Sequence, residues 1–193
     1  EYHRSNIRDE KWEKYDNVNK NFVHSGEASA RHSYGEGVID GWLISPQIAV
    51  PEMQQGSYIL EFWSYIYFPE EYRKNSVLIS TGSADPTDDD FIEVWTLPSS
   101  SASADWQQTI IGLTANYAGK NIYVAFRYES ESSGHIWYLD DVSFKEVEAS
   151  YDAGIAVLKN PVSGGMLSSE EPVIITLVNN GKENITELPV TLK

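Results

Sequence analysis

The chain contains no cysteine. Disulfides, thiolate metal sites and cysteine nucleophiles are therefore excluded. Positive charge is scarce: 14 Lys and Arg stand against 29 Asp and Glu in 193 residues, a formal net charge of −15. Nucleic acid and anionic membrane both call for clustered Lys and Arg, so neither is an expected partner. No run approaches the roughly 20 apolar residues that cross a bilayer, and direct membrane insertion is not expected. No segment sustains a 3.6-residue apolar period, which leaves no amphipathic helix to build on. Catalytic signatures are missing too. His3, His24, His32 and His135 lack HExxH spacing, and there is no G-x-S-x-G elbow or phosphate-cradling glycine loop. Each histidine reads as a lone surface residue, and the chain is not expected to be an enzyme. Glu1 opens the chain without a signal-peptide pattern, as in a mature or excised segment.

What is present is apolar and rich in rings. Hydrophobic residues make up 41%, with 6 Trp, 12 Tyr and 6 Phe. That suffices for a core and for strands. Tyr58–Tyr67 alternates most clearly, with Tyr58, Leu60, Phe62, Ser64 and Ile66 on one face and Ile59, Glu61, Trp63, Tyr65 and Tyr67 on the other. Ser25–His32, Trp42–Ser45, Ser76–Thr81, Phe91–Leu97, Trp106–Leu113 and Asn121–Glu129 also read as strands. Turns recur every ~8–12 residues, the spacing of an all-β sandwich. Near Glu146–Tyr151 the character changes. Asp152–Val157, Val173–Asn179 and Leu188–Leu192 read as three further strands, with a turn at Asn179-Asn180-Gly181-Lys182. The expected domains are a β-sandwich over 1–149 and the N-terminal part of an immunoglobulin-like sandwich over 150–193.

His135–Phe144 is the stretch that poses a question. As a strand it places Ile136, Tyr138, Asp140, Val142 and Phe144 on one face, and His135, Trp137, Leu139, Asp141 and Ser143 on the other. A carboxylate among apolar neighbours must be paired, hydrogen-bonded or bound to a cation.

Four motifs in order carry a family likeness: Trp42-Leu43-Ile44-Ser45-Pro46, Tyr58-Ile59-Leu60-Glu61-Phe62-Trp63, Asn116-Tyr117-Ala118-Gly119-Lys120 and Trp137-Tyr138-Leu139-Asp140-Asp141-Val142. Together they resemble the cleaved-adhesin domain family, also met as the choice-of-anchor J domain. This is a MAM-like jelly roll common in secreted proteins and peptidases of Bacteroidetes, gingipains included. The likeness covers about 12–148. Residues from Tyr151 onward resemble the immunoglobulin-like module that often follows. The resemblance implies a non-catalytic adhesion or binding module, secreted or at the bacterial cell surface, with calcium bound for structure. It would be an accessory region of a larger protein, a peptidase for example.

Calcium prefers six to eight hard oxygens. The resemblance suggests Asp140 and Asp141 as ligands, joined by Glu27 from an early strand as in jelly-roll carbohydrate-binding modules. In the family, the loop after the first Trp often binds calcium. Here it holds Asp16, Asn17 and Asn19 but no further Asp. The acidic loop of Asp85, Asp88, Asp89 and Asp90 is another candidate. For ligand binding, the alternation turns Trp63, Tyr65, Tyr67, Tyr123 and Arg127 outward, with Trp95 and Trp137 beside them. Such a face suits sugar stacking or protein contact. The open alternatives for a partner are a host or matrix protein and a glycan. A further alternative is a fragment of a hydrolase whose catalytic domain lies elsewhere.

Overall fold

The structure is a computed structural model that describes residues 12–16, 20–35, 37–52, 57–113, 115–130, 134–147, 153–161, 172–179 and 183–189. The chain divides into two compact units, Glu1–Glu52 with Tyr58–Lys145, and Met53–Ser57 with Glu146–Lys193.

The first unit is the expected β-sandwich. Its strands are β1 (Trp12–Tyr15), β2 (Ser29–His32), β3 (Ile39–Ile44), β4 (Ile48–Ala49), β5 (Ser57–Tyr67), β6 (Lys74–Ser80), β7 (Ile92–Thr96), β8 (Gln107–Leu113), β9 (Asn121–Ser130) and β10 (Ile136–Val147). One sheet runs β1-β2-β10-β5-β8. The other runs β3-β9-β6-β7, with β4 also paired to β9. In β5 the alternation works as read, burying Tyr58, Leu60, Phe62, Ser64 and Ile66. In β9 the inward residues are Ile122, Val124, Phe126 and Tyr128. Phe62 meets Phe126 edge-on across the sandwich at 5.1 Å, and Phe126 meets Trp137 at 6.1 Å. Each such ring or aliphatic chain, fully buried, contributes roughly 1.5–3 kcal/mol.

Two expectations are corrected here. The strand read at Ser25–His32 begins only at Ser29. Gly26 takes a left-handed φ of 65° and turns the chain, which leaves Glu27 in a bend ahead of the strand. In β10, His135, Trp137 and Leu139 are on the core side, so the apolar face that holds Asp140 is the outer one. The alternation then breaks at Asp141, whose φ is 49°. Beyond it the facing reverses, the local effect of a β-bulge. Phe144 stacks at 5.5 Å on core-facing Tyr58, and Lys145 pairs with outward-facing Glu61.

The histidines also depart from the surface reading. His32 and His135 are both 0% exposed. His32 stacks on Tyr128 at 4.3 Å and lies so close to Gly41 that a Cβ there would stand 2.0 Å from its Nε2. Gly41 is thus fixed by the ring it must admit. His135 places Nε2 2.9 Å from Asn75 Oδ1, while Tyr128 donates its hydroxyl to the His135 carbonyl at 2.8 Å. His3 lies outside the described residues.

In the second unit, β11 (Ala153–Asn160) pairs antiparallel with β12 (Ile174–Asn179), with register shifts between Ile155 and Val157 and between Leu158 and Asn160. Ile155, Leu158, Ile174 and Leu177 are exposed. Of the third strand expected at Leu188–Leu192, Leu188 and Pro189 carry no strand, and the rest lies outside the described residues, as do Asp152 and Asn180–Lys182.

Burial pushes the His135 pKa down from 6.5 to about 3. Folding therefore favours the neutral imidazole. The associated stability is complete above the unfolded pKa of about 6.5 and is lost as pH falls toward 3. Urea unfolding should show about 2 kcal/mol of this loss by about pH 5. The loss should shrink by that amount in His135→Gln, which has nothing to protonate. An identical pH slope in the variant would assign the acid sensitivity to other groups.

Candidate ligand-binding surfaces

Asp140 is satisfied by the chain itself. Its Oδ2 accepts the backbone N–H of His24 at 2.8 Å and of Ser25 at 3.2 Å, and its Oδ1 accepts the N–H of Asp141 at 2.8 Å. Asp141 Oδ1 accepts the Ser25 hydroxyl, and its Oδ2 lies 2.7 Å from His24 Nδ1. The Ser25 hydroxyl first, and His24 second, hold the Asp141 carboxyl below its usual range. The doublet therefore pins the loop 20–25, a task that charged hydrogen bonds perform well.

The residues named for calcium do not converge. Glu27 is exposed, and only its carbonyl is engaged, by Lys20 Nζ at 2.8 Å. Asp16 pairs with Lys14 at 3.0 Å in the open. Asn17 lies outside the described residues. Asp90 accepts the Ser83 N–H at 2.8 Å, and Asp88 is exposed, its N–H donated to the Asp85 carbonyl at 3.1 Å. Among the described residues no three His, Cys, Asp or Glu side chains group as a metal site. Asp140, Asp141 and Asp90 already accept hydrogen bonds from the chain, which leaves fewer of their lone pairs open to a cation.

The outward rings expected as one cluster occupy three places. On the first sheet, Trp63 and Tyr65 lie under the loop 20–25. His24 stacks on Trp63 at 3.9 Å and 16°, and Phe22 stacks on Tyr138 at 4.7 Å and 9°. Phe22 also meets Tyr65 and Tyr67 edge-on, each at 5.4 Å. The loop is tied down by Ser29, whose hydroxyl donates to the Phe22 carbonyl at 2.6 Å, and by Trp106, whose Nε1 donates to the Asn21 carbonyl at 3.2 Å. Tyr67 remains at the rim beside Phe68 and is 37% exposed. Trp95 points inward instead, edge-on to Phe62 at 5.6 Å, and Trp137 is wholly buried.

Tyr123 and Arg127 belong to the outer face of the second sheet. Register aligns Trp42 with Arg127, Asp40 with Glu129 and Lys74 with Glu129. Directly opposed residues share a face, so these groups gather over the buried cluster of Trp42, Ile44, Leu78 and Ala125, against which Phe91 and Tyr123 pack. The Arg127 guanidinium stands 4.9 Å over the Trp42 ring. Its Nε reaches Asp40 Oδ1 at 2.7 Å, and its Nη2 reaches Asp40 Oδ2 at 3.1 Å and Glu129 Oε1 at 3.2 Å. Lys74 Nζ sits between Glu93 at 2.9 Å and Glu129 at 3.0 Å. Burial is the largest single influence on Arg127 and works against its charge, but the Asp40 hydrogen bond together with the charges of Asp40, Glu129 and Glu93 outweighs it, and its pKa is raised. The Glu93 hydrogen bond, ahead of the opposing burial, raises that of Lys74.

Two adjoining clefts open here. One, of about 250 Å³, is lined by Trp42, Pro86, Asp89 and Phe91. The other, of about 440 Å³, is lined by Val38, Arg73, Lys74 and Glu129. Asp40 and Arg127 line both. Of the residues named from the sequence, Arg127 lines both clefts and Tyr123 packs on the adjoining cluster; Asp40, Trp42, Phe91 and Glu129 were not singled out. Asp40 and Trp42 alternate on β3, yet their partners on β9 follow only from the register.

A β-sandwich with a polar groove on one outer face is the class that this geometry defines. The chain belongs to the cleaved adhesin family: the sequence profile of the Cleaved Adhesin Domain matches residues 8–144. No curated protein sequence matches it. Among solved structures, the K1 cleaved adhesin domain of Lys-gingipain from Porphyromonas gingivalis W83 is 19% identical, with a TM-score of 0.56 over 75% of this chain and 89% of that one. The K2 domain of Lys-gingipain is 16% identical, with a TM-score of 0.53 over 75% and 87%. The module TmCBM61, solved with β-1,4-galactotriose, is 13% identical, with a TM-score of 0.53 over 76% and 88%.

Asp140→Ala removes the acceptor for two loop N–H groups and should cost about 1–3 kcal/mol in chemical denaturation. Melting temperatures in excess EDTA and in millimolar calcium should agree, because amides already neutralise this carboxylate. A fall of several degrees in EDTA would place an ion at the doublet after all.

Proposed function

We propose that the chain is a non-catalytic, extracellular binding module, an accessory region of a larger secreted or surface protein, and that it takes a glycan along the groove on the outer face of the second sheet. The observation that carries this reading is the pair of clefts sharing Asp40 and Arg127 above Trp42. Fixed planar polar groups beside apolar walls are what a sugar site requires. The shared fold with a module solved with a galactotriose is in keeping with it. The rival sugar platform, at Trp63 and Tyr65, is covered by His24 and Phe22. Among the described residues, a Ser-His-Asp grouping of Ser25 with His24 and Asp141 is wired otherwise than in a hydrolase. The Ser25 hydroxyl donates to Asp141, leaving His24 no proton to take from it. The second unit is read as part of an immunoglobulin-like module.

The test is a glycan array followed by calorimetry on the hits. Arg127→Ala should weaken binding at least about tenfold, equivalent to about 1.4 kcal/mol, with the circular dichroism spectrum retained. Trp63→Ala should leave the affinity of the folded protein unchanged. Loss of binding on Trp63→Ala with Arg127→Ala neutral would move the site to the first sheet.

A further inference from the structure

Every cation in the groove already has a carboxylate. Arg73 pairs with Glu71 at 3.1 Å, Lys74 with Glu93 and Glu129, and Arg127 with Asp40 and Glu129. Asp89 adds a further negative charge to the wall. A ligand bearing a carboxylate or sulfate would find no positive charge to neutralise it. It would have to displace Asp40 or Glu129 from Arg127, in a chain whose net charge is already −15.

The groove is instead well supplied with hydroxyl-reading groups. Arg127 uses Nε and Nη2 internally, and its Nη1 has no partner among the described residues. A carboxylate offers about four lone-pair sites, so Asp40, whose side chain meets Arg127 among the described residues, still has room to accept. A sugar hydroxyl can accept from the guanidinium and donate to the carboxylate beside it, and a neighbouring hydroxyl can repeat the pattern. Ring stacking has a lesser place. Trp42 is only 6% exposed, under the guanidinium it supports, and the Tyr123 hydroxyl is engaged by Gln47 Nε2 at 3.1 Å.

We propose that the groove selects neutral glycans, reading adjacent hydroxyls through Arg127 Nη1 and the Asp40 carboxylate, and rejects uronate and sulfated chains. This rests on the glycan reading above and specifies its ligand class.

The intact chain would be titrated with two panels: neutral β-glucan, xylan, galactan and mannan oligosaccharides, and acidic oligogalacturonate, alginate, glucuronan and chondroitin sulfate fragments. The expected result is binding confined to the neutral panel and little changed by added salt. Arg127→Lys, which keeps the charge but loses the planar fork, should bind the best neutral ligand at least about tenfold more weakly. Its melting temperature should stay close to that of the parent. Tighter binding of acidic chains, falling steeply with salt, would overturn the proposal while leaving a glycan site in place. So would an Arg127→Lys variant that binds neutral chains as the parent does. Failure of both panels would overturn this proposal together with the reading it rests on.

Discussion

The arrangement of the first unit depends on the Asp140 carboxylate holding the backbone N–H groups of His24 and Ser25. Those bonds fasten the loop 20–25 across the outer face of the first sheet. With the loop in place, Phe22 enters a box of Tyr15, Tyr65, Tyr67 and Tyr138, and His24 lies flat on Trp63. A sheet face that could have served as a binding platform becomes a second small core.

The outer face of the second sheet is built on different terms. Its buried layer of Trp42, Ile44, Leu78 and Ala125 carries a row of charged groups, each held by at least one partner of opposite sign. Exposed ion pairs contribute little stability singly. Their value here is geometric. Arg127 is gripped in two places by Asp40, touched by Glu129 and stacked on Trp42, so a ligand of the proposed kind would meet it already oriented. Little conformational entropy is left to lose on binding.

Much of the fold was legible in the chain. Strands β5 and β9 announce themselves by strict alternation, and the ordered motifs around Trp42, Tyr58 and Trp137 carried the family. What could not be read was register. Arg127 and Trp63 both face outward from their strands, yet they lie on opposite sides of the sandwich, because β5 and β9 belong to different sheets. His32 and His135 looked like surface residues by type. For His135 the clue to burial was the company it keeps on alternate positions, Trp137 and Leu139. Asp140 was rightly seen to need a partner, but a backbone amide leaves no mark in a sequence. Glu27 lies ahead of the strand it was read in, since the turn at Gly26 delays the strand.

The adjacency of two acids at 140 and 141 invites an explanation in terms of charge, but the backbone supplies a different one for the second. Its left-handed conformation is one that Asp, Asn and Gly adopt far more readily than bulkier or β-branched side chains. A residue committed to regular extended geometry would carry the sequence Val142–Lys145 round by half a turn, sending the Phe144 ring toward solvent and the Lys145 ammonium toward the Tyr58 side. The identity of position 141 is in that sense a matter of handedness, and its carboxylate, once placed, is put to use by Ser25 and His24.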